Sequence, residues 1–532
     1  METVVHPRIR PGVLEERRYQ ASIADAATGA NTLAVLPTGL GKTTIALRVI
    51  AEYLRRFPTR SVLFLAPTRP LVVQHAESVR GSILGPAPVV LTGAVGPGER
   101  AELLHPPQVI VATPQVIGND LATDRFPLDT ISLIVFDEAH RARGDYPYVA
   151  IARANAAGPQ ARVLAMTASP GSRLDTIREV WRNLGIAHFE YRTVADADVR
   201  PYVHDVPFES EVVKVPAEVQ GLGVLFRAAA ARQEKILADL HFLRENTASK
   251  RDLLELGTDL HRQIAQARAR GESPPARLWQ GVTSHAVAMK ALHAVELAET
   301  QGVESVRQYL ERQGEGRGSP ALRSFLGDPD VLQARHILET LHLEHPKLAA
   351  AVRLVRTELA KSPESRVIVF TQYRQTAERL VEELTHAGDP GLRAARFVGQ
   401  ASTDNDAGMS QKDQVRLLDR FRAGDINCLV ATSVAEEGLD IPSTDLVVFY
   451  EPVPDLIRTI QRRGRTGRAR AGRVVVLVAE GTRDVGLARS TGGKERRMHE
   501  MLGHLEDESR AGAVPAPPAR AVQKNLEEFR AP

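Results

Sequence analysis

The sequence predicts an α/β protein: two parallel-sheet domains with an all-helical insertion domain between their motif sets. Three observations carry this. Short apolar runs rich in β-branched residues alternate with helical segments over residues 19–192, and the same grammar returns after Ser365. Between residues 217 and 343 strand signals vanish and long amphipathic patterns take over. At ~150 residues per domain the 532 residues suggest about three or four domains, enough for several cores.

In the first region residues 33–36, 62–65, 109–111, 133–136 and 163–166 each read as a buried strand, and a polar loop follows nearly every one. Parallel strands covered by helices on both faces read as such unbroken apolar runs. Their loops leave the carboxyl ends, where open α/β sheets bind ligands. The middle region predicts helices over residues 225–243, 250–268 and 277–300, with Ile236, Leu240 and Leu243 at helical spacing. Breaks fall at residues 271–275 and 314–320, both rich in Gly or Pro. The apolar stripes are read as core and the basic residues among them as solvated faces.

The second sheet is predicted from residues 367–370, 428–431, 446–449 and 474–477. A charged helix over residues 493–505, a Pro/Ala linker over 511–518 and a short amphipathic segment over 523–529 follow. The expected division is a first domain over residues 1–200 and a helical domain with its connecting segments over 201–345. The second sheet domain takes 346–492, and a helix and tail take 493–532.

A formal charge of +3 is nearly balanced at this length, so positive charge for a nucleic-acid partner has to be concentrated locally. The single cysteine, Cys428, excludes a disulfide framework or cysteine metal site and reads as a small buried strand residue. The N-terminus lacks the apolar core of a signal peptide, and no apolar stretch approaches the ~20 residues of a membrane span. The expectation is a soluble, cytoplasmic protein without a membrane partner.

The segment Pro37-Thr38-Gly39-Leu40-Gly41-Lys42-Thr43 joins a predicted strand to a helix that begins at Thr44. That is the context a phosphate-binding loop needs. Backbone N–H groups near the glycines wrap phosphates at a helix N-terminus, Lys42 reaches the β- and γ-phosphates, and the Thr43 hydroxyl ligates magnesium. Glycine is usual where Leu36 stands, so this is the Pro-Thr-Gly-x-Gly-Lys-Thr variant. Asp137-Glu138 follows an apolar strand. Asp137 is assigned to magnesium and Glu138 to orienting and deprotonating the attacking water. Two adjacent acids could also merely cap a helix; beside Lys42 the catalytic reading is preferred. Far downstream, Gln461-Arg462-Arg463-Gly464-Arg465-Thr466-Gly467-Arg468 supplies Arg465 and Arg468. A solvated basic helix is the competing reading, but arginine fingers delivered from a second domain are worth about 10³–10⁵ in rate. Together these motifs point to a nucleic-acid-stimulated ATPase using ATP and Mg2+.

The ordered set resembles the superfamily 2 helicases of the DEAH type over nearly all of residues 15–500. Longer strings narrow it. The thirteen residues that start Phe136-Asp137-Glu138-Ala139-His140, the stretch over 399–414 and Glu299-Thr300-Gln301-Gly302 are similar to the archaeal Hef and eukaryotic FANCM family. The resemblance implies two RecA-like domains with nucleotide between them and a helical insert emerging from the second. It places Tyr19, Gln20 and Thr44 beside the phosphate loop on the nucleotide, together with Gly438 and Asp440. Pro67, Thr68, Arg69, Thr92, Gly93, Thr113 and Pro114 become strand-binding loops of the first domain, and Thr371, Gln372, Thr432 and Ser433 those of the second. Hydroxyls, glycine amides and Arg69 suit phosphate contacts, which fix register without reading bases. Thr167 and Ser169 would couple hydrolysis to domain movement.

The expected activity is ATP-driven 3′→5′ movement on forked or branched DNA in fork repair or recombination. An RNA- or duplex-RNA-stimulated ATPase resembling the RIG-I and Dicer helicases is the alternative. Hef relatives carry an XPF-type nuclease signature that these residues lack, so strand cleavage is not expected. Gln523, Leu526 and Phe529 resemble the clamp-binding peptide of PCNA partners, with a short packed helix or a disordered end as the competing readings.

Overall fold

A computed structural model describes residues 2–105, 107–158, 160–168, 171, 173–202, 207–244, 250–315, 318–386, 391–399, 408–432, 444–452 and 472–510. The first sheet contains β1 (Thr32–Val35), β2 (Ser61–Leu65), β3 (Val89–Leu91), β4 (Val109–Ala112), β5 (Ile131–Phe136), β6 (Arg162–Thr167) and β7 (His188–Tyr191). Its order is β3-β4-β2-β5-β6-β1-β7, and the paired strands are parallel. The second contains β8 (Phe208–Val213), β9 (Val367–Phe370), β10 (Ala394–Phe397), β11 (Cys428–Ala431), β12 (Leu446–Phe449) and β13 (Arg473–Ala479). Its order is β10-β11-β9-β12-β13-β8, again parallel. Cys428 is fully buried on β11, and burial pushes its thiol up to about 12.

Central strands such as β1, β2, β4, β5, β9, β11 and β12 are buried at every position, as expected where helices cover both faces. Edge strand β8 is mostly exposed and precedes the helical domain in sequence, yet pairs with β13. The helical domain therefore leaves and re-enters the second sheet domain. Of its long helices, Ala217–Asp239 and Ala276–Thr300 present Val219, Leu222, Phe226, Val287 and Ala291 to a core continuous with Val367, Val369 and Leu446, while Lys250–Ala269 buries Leu253, Leu260 and Ile264 in a cluster of its own with Leu237 and Leu278. At the return crossing, helix Pro346–Lys361 starts with proline in its first turn and is capped by the His345 side chain, which accepts from the Lys347 amide at 3.2 Å.

The helix after β13 runs from Arg483 to Arg510, longer than the span of 493–505 read from the sequence. At its start Asp484 pairs with Lys347, both side chains buried, and accepts from the Ala479 amide at 3.1 Å. Near its far end Leu502 and Leu505 are buried in the core of the first domain. Their spacing faces one side of a helix, and that side finds Ile177, Trp181 and Phe189 in the same cluster. Among the described residues no helix is long and apolar enough to cross a membrane.

Candidate functional site

The carboxyl edge of the first sheet is divided by strand order. β5, β6 and β1 are neighbours, and their loops carry Asp137-Glu138, Thr167 and the phosphate loop. β3, β4 and β2 are the other neighbours, and their loops carry Thr92, Thr113 and Thr68. The nucleotide residues and the strand-contact residues read from the sequence thus occupy adjoining stretches of one edge.

In the phosphate loop Gly39 and Gly41 take φ of 91° and 75°. A Cβ on Gly41 would lie 2.4 Å from Gln20 Nε2, so both conformation and space select glycine. Gly41 caps helix Lys42–Arg56, whose first turn includes Thr43 and Thr44. The first amides of a helix have no intrahelical acceptor, so a loop that ends at a helix N-terminus suits phosphate. Lys42 Nζ lies 3.3 Å from the Leu36 carbonyl inside the loop, and the Leu36 amide donates to Thr167 O at 3.1 Å. Tyr19 is fully buried and donates to Leu40 O at 2.8 Å, while Gln20 Nε2 donates to the same oxygen at 3.0 Å. Tyr19 therefore braces the loop from behind. Gln20 Oε1 is buried without a hydrogen-bond partner, an acceptor suited to an adenine amino group.

Asp137 is buried and accepts from His75 Nε2 at 2.9 Å. Burial alone would raise its carboxyl; the His75 hydrogen bond and the charge of Lys42 hold it below its ordinary value. An ionised carboxylate offers the oxygen ligands that magnesium takes. Tyr148, fully buried, lies 2.7 Å from the Asp137 carbonyl, and His75 stacks on Phe64 at 4.4 Å. Glu138 has φ 48°, a conformation uncommon outside glycine. Its Oε2 is buried without a hydrogen-bond partner, 3.3 Å from His140 Nδ1. The His140 hydrogen bond goes instead to Thr167 Oγ1 at 3.0 Å. Thr167 therefore touches both the phosphate loop, through its carbonyl, and the acidic motif, through its hydroxyl.

On the other half of the edge, Pro67, Thr68 and Arg69 follow β2, with Arg69 exposed. Thr68 precedes helix Arg69–Ser82, whose His75 reaches Asp137. One helix thus joins the loop after β2 to the acidic motif. Thr92-Gly93 and Thr113-Pro114 are tied together by a buried ion pair: Arg100 grips Asp120 through two hydrogen bonds of 2.7 and 2.6 Å and donates to Val95 O at 2.5 Å. In the second domain Thr371 and Thr432 end the neighbouring strands β9 and β11. Glu451, buried after β12, accepts from Thr371 Oγ1 at 3.2 Å and from the amide of exposed Gln372.

His75, Tyr148, Arg100, Asp120 and Glu451 were not singled out as site residues in the sequence. Each acts through a partner distant in the chain, and no local spacing announces it. Ser169, Ser433, Gly438, Asp440, Gln461, Arg465, Arg468, Gln523, Leu526 and Phe529 lie outside the described residues.

Comparison with known proteins gives three family matches: DEAD/DEAH box helicase over residues 17–177, helicase conserved C-terminal domain over 347–470, and the helical bundle of a putative ATP-dependent RNA helicase over 222–340. A putative ATP-dependent RNA helicase of Methanocaldococcus jannaschii is 39% identical over 505 residues, 94% of this chain and 62% of that protein. The ATP-dependent DNA helicase mph1 of Neurospora crassa is 35% identical, with 87% of this chain and 41% of that protein covered. The chain therefore spans 62% of the first relative and 41% of the second. The crystal structure of the Pyrococcus furiosus Hef helicase domain superposes with a TM-score of 0.67 at 41% identity, covering 91% of this chain and 99% of that one. The chain belongs to the DEAD/DEAH box helicases, in the group that includes Hef, Mph1 and FANCM.

Proposed function

We propose that the protein couples ATP hydrolysis to 3′→5′ movement along DNA and opens forked or branched duplexes during repair or recombination. The observation that supports this best is the divided carboxyl edge of the first sheet, with helix Arg69–Ser82 running from a strand-contact loop to the acid Asp137. Phosphate loop, acids and strand loops then form one mechanical unit. Relatives named as DNA helicases favour DNA. The M. jannaschii relative, named as a putative RNA helicase, keeps an RNA-stimulated ATPase as the second reading.

In the proposed cycle the amides of Gly39 and Gly41 and the Lys42 ammonium hold the ATP phosphates, and Gln20 Oε1 accepts from the adenine. Thr43 and Asp137 would hold Mg2+, which neutralises charge on the phosphate oxygens when bound. Glu138, with an unpartnered carboxylate oxygen, accepts a proton from the attacking water. His140 and Thr167 link that acid to the loop, and Thr167 and Ser169 are assigned to coupling hydrolysis with domain movement. Gly438, Asp440, Gln461, Arg465 and Arg468 are assigned to the facing side of the nucleotide, the arginines as fingers. Thr68, Arg69, Thr92, Gly93, Thr113 and Pro114, with Thr371, Gln372, Thr432 and Ser433, grip the strand through its phosphates. Opening one base-pair step costs ~1.4 kcal/mol of stacking on average, so directional opening needs this coupling.

The deciding experiment measures ATPase and unwinding on single strands, forks and four-way junctions, in matched DNA and RNA, with either polarity of tail. DNA forks with a 3′ single-stranded arm are expected to stimulate most. Stronger stimulation by the RNA fork would replace this reading with the RNA one, and stimulation by neither would remove both. For Gln523, Leu526 and Phe529 we propose docking on a sliding clamp, which would raise the local concentration of the protein at forks. A peptide of residues 515–532 is expected to bind the clamp of the same organism and to lose binding in the L526A/F529A pair; no binding at high peptide concentration would end the proposal. The proposed setting is the cytoplasm, on chromosomal DNA.

A further inference from the structure

Glu296, on the last turns of helix Ala276–Thr300, is a buried carboxylate with partners from three parts of the molecule. Lys250 Nζ, from the helical domain itself, lies 2.7 Å away. Arg483 Nη1, at the root of the C-terminal helix, lies 2.5 Å away. The Tyr373 hydroxyl donates to Glu296 Oε1 at 3.3 Å, and Tyr373 directly follows Gln372 in the loop after β9. One turn later Glu299 pairs with Arg227 and accepts from the Arg483 amide at 3.3 Å. Gln301 then accepts from Thr376 Oγ1 at 2.6 Å, in the helix that begins just after the loop.

A buried carboxylate is costly unless paired, and stabilising the helical domain alone would call only for a partner within it, such as Lys250. Here the side chain is completed by groups from two other elements. Burial pushes the Tyr373 hydroxyl up, so it stays a donor at working pH. Burial of Glu296 is outweighed by Lys250 and Arg483, which hold its carboxyl below the ordinary value, so it stays an acceptor. The other side of the loop is fixed by Glu451, through Thr371 and the Gln372 amide. The loop is therefore clamped between the second sheet domain and the helical domain.

We propose that Glu296 is a positioning residue: through Tyr373 it sets the loop of Thr371 and Gln372, so that a displacement of the helical domain on a forked substrate is transmitted to the proposed strand grip of the second sheet domain. The coupling half rests on the DNA-helicase reading above; the positioning half does not.

The test compares Y373F, which removes only the hydroxyl, E296Q, and K250M as a control that disturbs Glu296 from within the helical domain. Amide exchange is measured over residues 371–376 in the DNA-free protein, and ATPase is measured with fork and single-stranded DNA. Y373F and E296Q are expected to speed exchange in the loop and to lower the ratio of fork to single-strand stimulation by about threefold to tenfold, the scale of mutations along a coupling path. DNA-free ATPase of E296Q and K250M is expected to stay at the parent level, and K250M to change the ratio less than E296Q. Unchanged exchange in both Y373F and E296Q overturns the positioning role. Faster exchange with an unchanged ratio, or a parallel loss of fork and single-strand stimulation, overturns the coupling. If the parent protein is not stimulated by DNA at all, the helicase reading falls while loop exchange still decides the positioning claim.

Discussion

Glu138 sits at φ 48° with one carboxylate oxygen buried and without a hydrogen bond, two local costs at adjoining groups. Non-glycine residues in this region carry strain of order 1–3 kcal/mol and persist where surrounding structure imposes them. Here β5, paired on both sides, and buried Ala139 impose it. The arrangement separates two acids that are neighbours in sequence: Asp137 is hydrogen-bonded to His75, whereas Glu138 Oε2 has no hydrogen bond, as the proposed base for a water would require. Different losses are therefore expected from two substitutions. E138Q should bind ATP within about threefold of the parent while turnover falls by about 10²–10⁴, the usual contribution of a general base. K42A should weaken ATP binding itself, because the proposed role of its ammonium is to hold the phosphates rather than to act on the water. Equilibrium binding of a fluorescent ATP analogue beside steady-state hydrolysis separates the two, and near-parent turnover in either variant would sink its assignment. Such residues were legible because loop and acidic motif are local strings. His75 and Glu451 were not, because a lone histidine on a helix or a glutamate after a strand has no spacing that names its distant partner.

The same logic divides the elements. Nine strands were readable as apolar runs; β3, β7, β8 and β10, which the sequence did not reveal, are the four edges of the two sheets. An edge is half covered, so its sequence needs no unbroken apolar run: β8 reads Phe-Glu-Ser-Glu-Val-Val and β10 reads Ala-Ala-Arg-Phe. Helices of the insertion were readable from their stripes, but the strand that ties the insertion to the second sheet was hidden by its exposure. His345, at the return from the helical domain, makes this joint sensitive to pH. Its Nδ1 accepts from the Lys347 amide and its Nε2 donates to Glu299 O at 3.0 Å, so both ring nitrogens are engaged in the neutral form. Burial, with the nearby Lys347 charge, pushes its pKa down to about 3. The unfolded chain takes up a proton near 6.5 and the folded one does not until about 3. This contribution to stability is complete above about pH 6.5 and is lost as pH falls, at up to about 1.4 kcal/mol per pH unit within that window. In H345N, which can still cap the helix, the decline in urea midpoint between pH 6.5 and 5 is expected to be smaller by the equivalent of about 2 kcal/mol. An equal decline in both proteins would show that His345 does not carry it.

At the scale of the whole molecule, the sheet domains are joined by the chain between β7 and β8 and, among the described residues, by the helix Arg483–Arg510. At ~1.5 Å per residue its 28 residues reach about 42 Å. Its root is held in the second domain by the buried pair of Asp484 and Lys347, with Lys347 5.6 Å from the Tyr450 ring centroid. Its far end is held in the first domain by Leu502 and Leu505, and by Glu506 against Arg192 at 3.1 Å and Glu508 against Arg178 at 3.4 Å. The two contacts differ in kind. Glu508 and Arg178 are about two-fifths exposed, so their pairing is screened and worth little, whereas the leucines are fully buried. Removing a buried leucine side chain costs about 2–5 kcal/mol, so the pair L502A/L505A should release the far end while each domain keeps its own core. Small-angle scattering is expected to report a larger radius of gyration, and amide exchange over residues 500–508 to rise. Nucleic-acid-stimulated ATPase is expected to fall more than DNA-free ATPase, because the proposed nucleotide site draws on both domains and needs them held within reach. R178A should leave all three measurements near the parent. If L502A/L505A left the scattering and the stimulated rate unchanged, the sheet domains would be held together by their connecting chain and bound ligands, and the helix would be a passive extension of the second domain.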